Sequence, residues 1–345
     1  MGPQQGFGAG GPTLAEVGES GLLARLLGGR RGEDPALLLG PGDDAALWQP
    51  PRDRALALTQ DALVEGVDFR REWTTPYLLG RRSLALSLSD LAAMGATPAW
   101  CLVTLCAPGD TVLADVEALH DGLQAMAAEY RCPIVGGDVS AITGPLVIDV
   151  VAGGTVQPSQ ALRRDAGRPG DFLVVTGTVG RAAAGLRLLR ADPAAAAADP
   201  SLAAAWRGAQ LDPTPRVREG LALAAAGVRC AGDVSDGLLV DARRTAEASG
   251  CAAELWRDAL PVDPALRDCF PEDWVALAIG GGEDFELLAA VNPSHLDALL
   301  RDWPAGLAAL HVAGRLDEGS GVTLRACEGG EVLPLPPVAS RHFGS

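Results

Sequence analysis

Gly232-Asp233-Val234-Ser235-Asp236-Gly237-Leu238-Leu239 is the stretch on which the reading of this chain turns. It follows the short apolar run 228–230 and leads into 236–248, where Leu238, Leu239, Ala242 and Thr245 share one helical face before Gly250. Strand, acidic turn and helix in that order form the unit from which layered α/β sheets build ligand sites. Ser235 or Asp233 can cap the helix, and a cap needs only one such side chain. Asp233 and Asp236 together exceed that need, and their like charges repel unless a cation lies between them. The turn reads either as a plain helix cap or as the rim of a metal and phosphate site.

Other acidic positions repeat the theme. A second GDVS occupies 137–140, placing Asp138 after the apolar run 133–135, and Asp44 and Asp61 follow the strand-like runs 35–39 and 54–59. The flanks of the two GDVS copies differ, so they do not mark a duplication. Asp90 falls inside a helical segment, 76–94, opened by Pro76 and closed by Gly95. There Ser83, Ser87 and Asp90 form a narrow polar stripe on a helix otherwise lined by Leu84, Leu88 and Leu91. The stripe either faces solvent or turns a carboxylate toward the core, where it needs a partner or a metal. Aspartates with the Thr59 hydroxyl and a main-chain carbonyl make an oxygen-only donor set, which suits Mg²⁺ shared with substrate phosphates. The histidines (120, 295, 311, 342) are scattered without metal-ligand spacing, and no Ser/His/Asp or Cys/His arrangement stands out.

A chain of 345 residues is long for a single core, and two domains are expected. Strands at 54–59, 101–105, 133–135, 145–151, 172–176, 228–230, 274–279, 286–291 and 308–314 alternate with amphipathic helices, which indicates an α/β or α+β architecture. The Pro/Gly-rich connection 157–171 separates 13–158 from 159–345. Residues 1–12 read as a disordered lead-in, the alanine-rich stretch 191–205 as an insertion without chemistry, and the end of the chain as an extended tail. A net charge of −16 argues against nucleic acid as a partner. All 28 basic residues are arginine, which excludes a Walker-A lysine, a kinase strand lysine and Schiff-base chemistry. Any phosphate handled here is neutralised by cations, arginines and backbone N–H groups. Arg163, Arg164 and Arg168 around the turn 167–170 are candidates for that task. Gly280-Gly281-Gly282-Glu283-Asp284, placed between two strands, lets the backbone approach a ligand closely. Seven cysteines without C-x-x-C spacing suit reduced thiols, and neither a membrane span nor a signal peptide is read, so a cytoplasmic enzyme is expected.

With these residues assembled, the chain resembles the thiamine-monophosphate kinases, in the superfamily that also holds aminoimidazole ribonucleotide synthetase and selenophosphate synthetase. The resemblance runs from about Gly42 to Arg315. It rests on GDDAA (42–46), TQDALVEGVDF (59–69), LSDLAAMGATPAW (88–100), GGD (136–138), ALRRDAGRPGD (161–171), VTGTVG (175–180), DVSDGL (233–238) and GGGEDFEL (280–287), in family order. It implies ATP-dependent phosphorylation of thiamine monophosphate to thiamine diphosphate by direct transfer, assisted by several Mg²⁺ ions, with no covalent intermediate. It also implies an N-terminal α/β domain that forms a homodimer through its sheet, followed by a C-terminal α+β domain.

Matched residue by residue, the resemblance makes Asp44, Thr59, Asp61, Asp90, Asp138, Asp233 and Asp236 metal ligands, with Gln60 contributing its carbonyl. Gly137, Asp138, Arg164 and Ser235 match ATP-contacting positions, and Asp68, Glu283 and Ser340 substrate-contacting ones. The chain departs from the family where Gln60 replaces a hydroxyl residue and where Asp68 replaces a histidine. No aromatic residue aligns clearly with the one that stacks on the thiamine ring, Phe343 being a nearby substitute. Two alternatives remain: another ATP-dependent synthetase of the superfamily, similar to aminoimidazole ribonucleotide synthetase, and a non-catalytic scaffold. Selenophosphate synthesis is disfavoured because no cysteine precedes Cys101.

Overall fold

The computed structural model describes residues 5–8, 10–26, 35–41, 45–191 and 199–338. The chain divides into two units, one of Met1–Leu91 with Thr97–Gln157, the other of Ala92–Ala96 with Pro158–Ser345.

The first unit contains α1 (Leu14–Leu26), β1 (Leu37–Leu39), β2 (Leu47–Trp48), β3 (Ala55–Val64), α2 (Pro76–Ala93), β4 (Thr97–Ala107), α3 (Leu113–Tyr130), β5 (Ile134–Ala141) and β6 (Val147–Val156). Four of these strands form a sheet in the order β3-β6-β4-β5, antiparallel except for β4 beside β5. Helices α2 and α3 meet backbone to backbone: a Cβ on Gly80 would lie 1.9 Å from the Leu119 carbonyl oxygen, and one on Gly122 1.9 Å from that of Tyr77. Only glycine permits that approach. Along β3 the residues alternate between a half-buried set (Ala57, Thr59, Asp61) and an exposed set (Leu56, Leu58, Gln60), the period of a sheet covered on one face.

The second unit contains β7 (Phe172–Thr176), α4 (Arg181–Leu189), α5 (Pro200–Leu211), α6 (Val217–Ala225), β8 (Cys230–Val234), α7 (Leu238–Ala248), β9 (Ala252–Trp256), α8 (Pro264–Cys269), β10 (Glu286–Val291), α9 (Pro293–Asp302), β11 (Leu310–Asp317), β12 (Gly321–Arg325) and β13 (Val332–Leu333). Seven strands pair in the order β13-β12-β9-β11-β7-β10-β8. Leu173, Val175, Val234, Leu288 and Leu316 from the sheet pack with Leu238, Leu239, Ala242 and Ala246 of α7 to form the main core. Three helices start on an Asp-Pro or Asn-Pro step: Asp199, Asp263 and Asn292 each cap the helix that the following proline opens.

The chain departs from the sequence reading in several places. Residues 276–280 form a π-helical turn instead of the end of a strand over 274–279; a short apolar run does not distinguish a buried strand from a buried helix. Strand β3 continues through Gln60 and Asp61 to Val64, β5 runs through Asp138, and β8 includes Asp233, so these carboxylates lie within strands and not after them. Helix α7 starts later than expected, with Gly237 (φ 104°) at its N-cap, so neither Ser235 nor Asp233 caps it. Strands β9 and β12, parallel neighbours, were not anticipated. Of the stretch 191–205, the part 192–198 lies outside the described residues, and Pro200 onward is α5.

Candidate functional site

In the first unit the alternation of β3 aims Thr59 and Asp61 toward α2. The Thr59 hydroxyl donates to Asp90 Oδ2. The Ser87 hydroxyl lies 3.1 Å from both Asp61 Oδ2 and the Val150 carbonyl oxygen. Ser83 and Ser87 are buried, and Ser83 donates to the Leu79 carbonyl at 2.7 Å. The polar stripe of α2 therefore faces the sheet and not solvent. Gln60 projects to the opposite face and donates to Asp149 Oδ2 at 2.9 Å, so only its main chain is left for the metal role the motif assigns. Asp138 is exposed on β5, in register with Thr104 of β4. The preceding Gly137 has no room for a side chain, since a Cβ there would lie 1.9 Å from the Val103 carbonyl oxygen. Asp68 closes its own loop, its Oδ2 accepting from the Val64 N–H at 2.8 Å while Arg82 donates to its carbonyl at 3.0 Å. Asp44 lies outside the described residues.

In the second unit one of the three clustered arginines is distinguished from the others. Arg163 pairs with its neighbour Asp165 in solvent, whereas Arg164 donates to Asp233 Oδ1 at 3.1 Å. Ser249 fixes the loop that presents Arg164, donating to the Arg164 carbonyl at 2.7 Å and accepting from the Gly167 N–H at 3.0 Å. At the turn into α7, Asp236 and Asp241 form a linked pair. Arg244 donates to Asp236 and, at 3.1 Å, to Asp241 Oδ1, while the Asp236 N–H donates to Asp241 Oδ2 at 3.0 Å. Burial, reinforced by the charge of Asp233, pushes the Asp241 carboxyl up to about 7. The sequence contained a signal for Asp241, which lies three residues after Leu238 and four before Thr245, on the apolar face of α7.

The glycine-rich turn leans on the same segment. A Cβ on Gly282 would lie 2.6 Å from the Ser235 carbonyl oxygen, and the Glu283 N–H donates to that oxygen at 2.7 Å. Glu283 (φ 68°) and Phe285 (φ 49°) both adopt left-handed backbone, a strain that persists where surrounding contacts enforce it. Asp284 caps α4 from a distant part of the chain, accepting from the Gly180 N–H at 2.7 Å and the Ala182 N–H at 3.1 Å. Burial pushes its carboxyl up to about 7. Ser340 and Phe343 lie outside the described residues.

Among the described residues no three His, Cys, Asp or Glu side chains are grouped closely enough to hold a metal ion. The acidic positions instead stand singly or in pairs, engaged by hydroxyls or guanidiniums. All their donor atoms are oxygens, the chemistry that a hard divalent cation requires. Among the described residues no helix is long and apolar enough to cross a membrane.

The chain matches the AIR synthase related protein family over both of its parts, the N-terminal domain over residues 42–156 and the C-terminal domain over 168–327. The chain is therefore an AIR synthase related protein. Thiamine-monophosphate kinase from Synechococcus elongatus is 36% identical over 329 residues, 94% of this chain and 96% of that one. Thiamine-monophosphate kinase from Stenotrophomonas maltophilia K279a shares the fold with a TM-score of 0.78 at 40% identity, covering 88% of this chain and 94% of its own. AaThiL complexed with AMPPCP and TMP aligns with a TM-score of 0.71 at 29% identity, covering 94% and 97%. The chain belongs to the thiamine-monophosphate kinase family.

Proposed function

We propose that this protein transfers the terminal phosphoryl group of ATP to thiamine monophosphate, giving thiamine diphosphate and ADP. The reading is supported above all by similarity along nearly the whole chain to thiamine-monophosphate kinases. AaThiL, solved with AMPPCP and TMP, adds the matching pair of ligand chemistries.

A phosphate oxygen of the acceptor attacks the γ-phosphorus as the bond to the β-phosphate oxygen breaks. That oxygen is already anionic at neutral pH, so no general base is needed, and positioning with charge stabilisation supplies the catalysis. Thr59, Asp61, Asp90 and Asp138 in the first unit, and Asp233 and Asp236 in the second, would hold Mg²⁺, together with Asp44 and the main chain of Gln60. Mg²⁺ held there would offset the negative charge of the phosphates. Arg164 is directed to ATP phosphate as a planar, always-charged donor. Gly137 and Ser235 belong to the same nucleotide contact, whereas Asp68, Glu283 and Ser340 belong to the acceptor.

The reading also includes a homodimer and a cytoplasmic location, where ATP is available. Leu56 and Leu58, 45% and 64% exposed on the sheet face opposite α2, support pairing with a second copy. The activity is tested by measuring ADP release with thiamine monophosphate, with thiamine and with no acceptor. Release that needs thiamine monophosphate supports the assignment, and equal release in all three arms refutes it.

A further inference from the structure

Gln210 lies near the C-terminal end of α5 and is only 5% exposed. Its side-chain amide donates from Nε2 to the Glu283 carboxylate at Oε2. The helix that carries it is tightly fixed. Helix α4 crosses α5 at Gly185, where a Cβ would lie 2.1 Å from the Trp206 carbonyl oxygen and 3.1 Å from Gln210 Cβ. Trp206 itself is fully buried against Ala184, Leu266, Phe270 and Leu277. At the other end of the contact, Glu283 is held in left-handed backbone and by the Ser235 carbonyl. The amide thus reaches a carboxylate whose main chain is fixed, from a helix that is fixed as well.

Burying a side-chain amide is costly unless its hydrogen bonds are made, and an apolar residue would fill a helix–helix contact more cheaply. The Gln210 amide, itself a neutral donor, orients the Glu283 carboxylate. Thiamine monophosphate carries a permanently cationic thiazolium ring, for which an oriented carboxylate is the complementary group.

We propose that Gln210 is a positioning residue for the acceptor substrate, holding the Glu283 carboxylate in the orientation that receives the cationic ring. The proposal rests on the reading of the protein as a thiamine-monophosphate kinase. It is tested with Gln210→Ala and the bulkier, non-donating Gln210→Leu, by steady-state kinetics and by calorimetric titration of thiamine monophosphate. The KM and Kd for thiamine monophosphate rise about tenfold in both variants, while kcat and the KM for ATP stay within about twofold. In a Glu283→Ala background, adding Gln210→Ala changes nothing further. A purely structural role moves both KM values or lowers the unfolding temperature, without coupling to Glu283. If Gln210→Ala does not fold, Gln210→Leu, which preserves apolar contact between the helices, carries the test. Unchanged affinity for thiamine monophosphate in a folded variant, or full additivity with Glu283→Ala, overturns the proposal while wild-type turnover leaves the kinase reading standing. Absence of turnover in the wild type removes both.

Discussion

Arg164 donates to Asp233 Oδ1 at 3.1 Å, tying the loop before β7 to the middle of the acidic motif on β8. The guanidinium is one-third exposed and the carboxylate almost fully buried, so part of the fork is left facing outward. A charge-assisted hydrogen bond to phosphate contributes about 1.5–3 kcal/mol. Arg164→Ala is therefore expected to raise the KM for ATP on the order of tenfold to a hundredfold, with less change in the KM for thiamine monophosphate. Initial-rate measurements varying each substrate in turn check this. Arg163→Ala, which removes only an exposed pair with Asp165, should leave both constants near wild type.

A second arginine is structural. Arg216 grips Glu286 bidentately, Nε to Oε2 at 2.7 Å and an NH2 to Oε1 at 2.6 Å, and the Thr176 hydroxyl donates to the same carboxylate at 2.7 Å. Glu286 is 3% exposed. Removing one partner of a buried pair strands the other charge and costs about 3–5 kcal/mol. Arg216→Met should lower stability by that amount in urea unfolding. The double variant Arg216→Met/Glu286→Leu should recover most of it, because the stranded charge is gone.

The Asp284 carboxyl gives a pH prediction with a definite sign. Its ordinary value is 3.8, and burial raises it to about 7 in the folded protein. Below about pH 4 both folded and unfolded chains hold the proton. Between about 4 and 7 the unfolded chain has lost it while the folded chain retains it, so folding takes up a proton and this group's contribution falls as pH rises. Above about 7 the contribution levels off. Asp284→Asn should abolish that slope, leaving a constant offset from the altered cap of α4. Chemical denaturation of both proteins at pH 4.5, 6 and 8 checks it: the stability of the wild type relative to the variant must decrease across the series. An unchanged or rising difference contradicts the assignment.

Much of the fold was legible because its signals are local. Pro76 and Gly95 bracket α2 in the sequence as in the structure, and the apolar runs of β4, β7 and β10 announce themselves. The candidate site was legible through spacing, since Ser83, Ser87 and Asp90 fall on one stripe of α2. What spacing left open was direction: the hydrogen bonds from Thr59 to Asp90 and from Ser87 to Asp61 turn the stripe toward the sheet. Residues joined only by tertiary structure were illegible. Gln210 meets Glu283, Arg216 meets Glu286 and Asp284 caps α4 across separations of 73, 70 and 104 positions, and nothing periodic connects them. The run 274–279 misled because its apolar residues serve a buried π-helical turn as well as they would a strand.

The polar contact between Thr59 and Asp90 sets the last prediction. Asp90 is only partly buried, so Asp90→Ala removes one hydrogen bond, worth about 1 kcal/mol to the fold. If Asp90 helps to hold Mg²⁺, the same change removes several kcal/mol of transition-state stabilisation, a loss on the order of a thousandfold in kcat. The two effects separate cleanly: circular dichroism and unfolding midpoints near wild type, with turnover lost even at saturating Mg²⁺. Asp236→Ala should behave alike, although it also releases Arg244, which keeps Asp241 as a partner. Chelating divalent cations should bring the wild type down to the level of these variants, and restoring Mg²⁺ should rescue the wild type alone. Near-wild-type turnover in both variants would remove these carboxylates from the metal site, since neither residue could then be a ligand that transfer depends on.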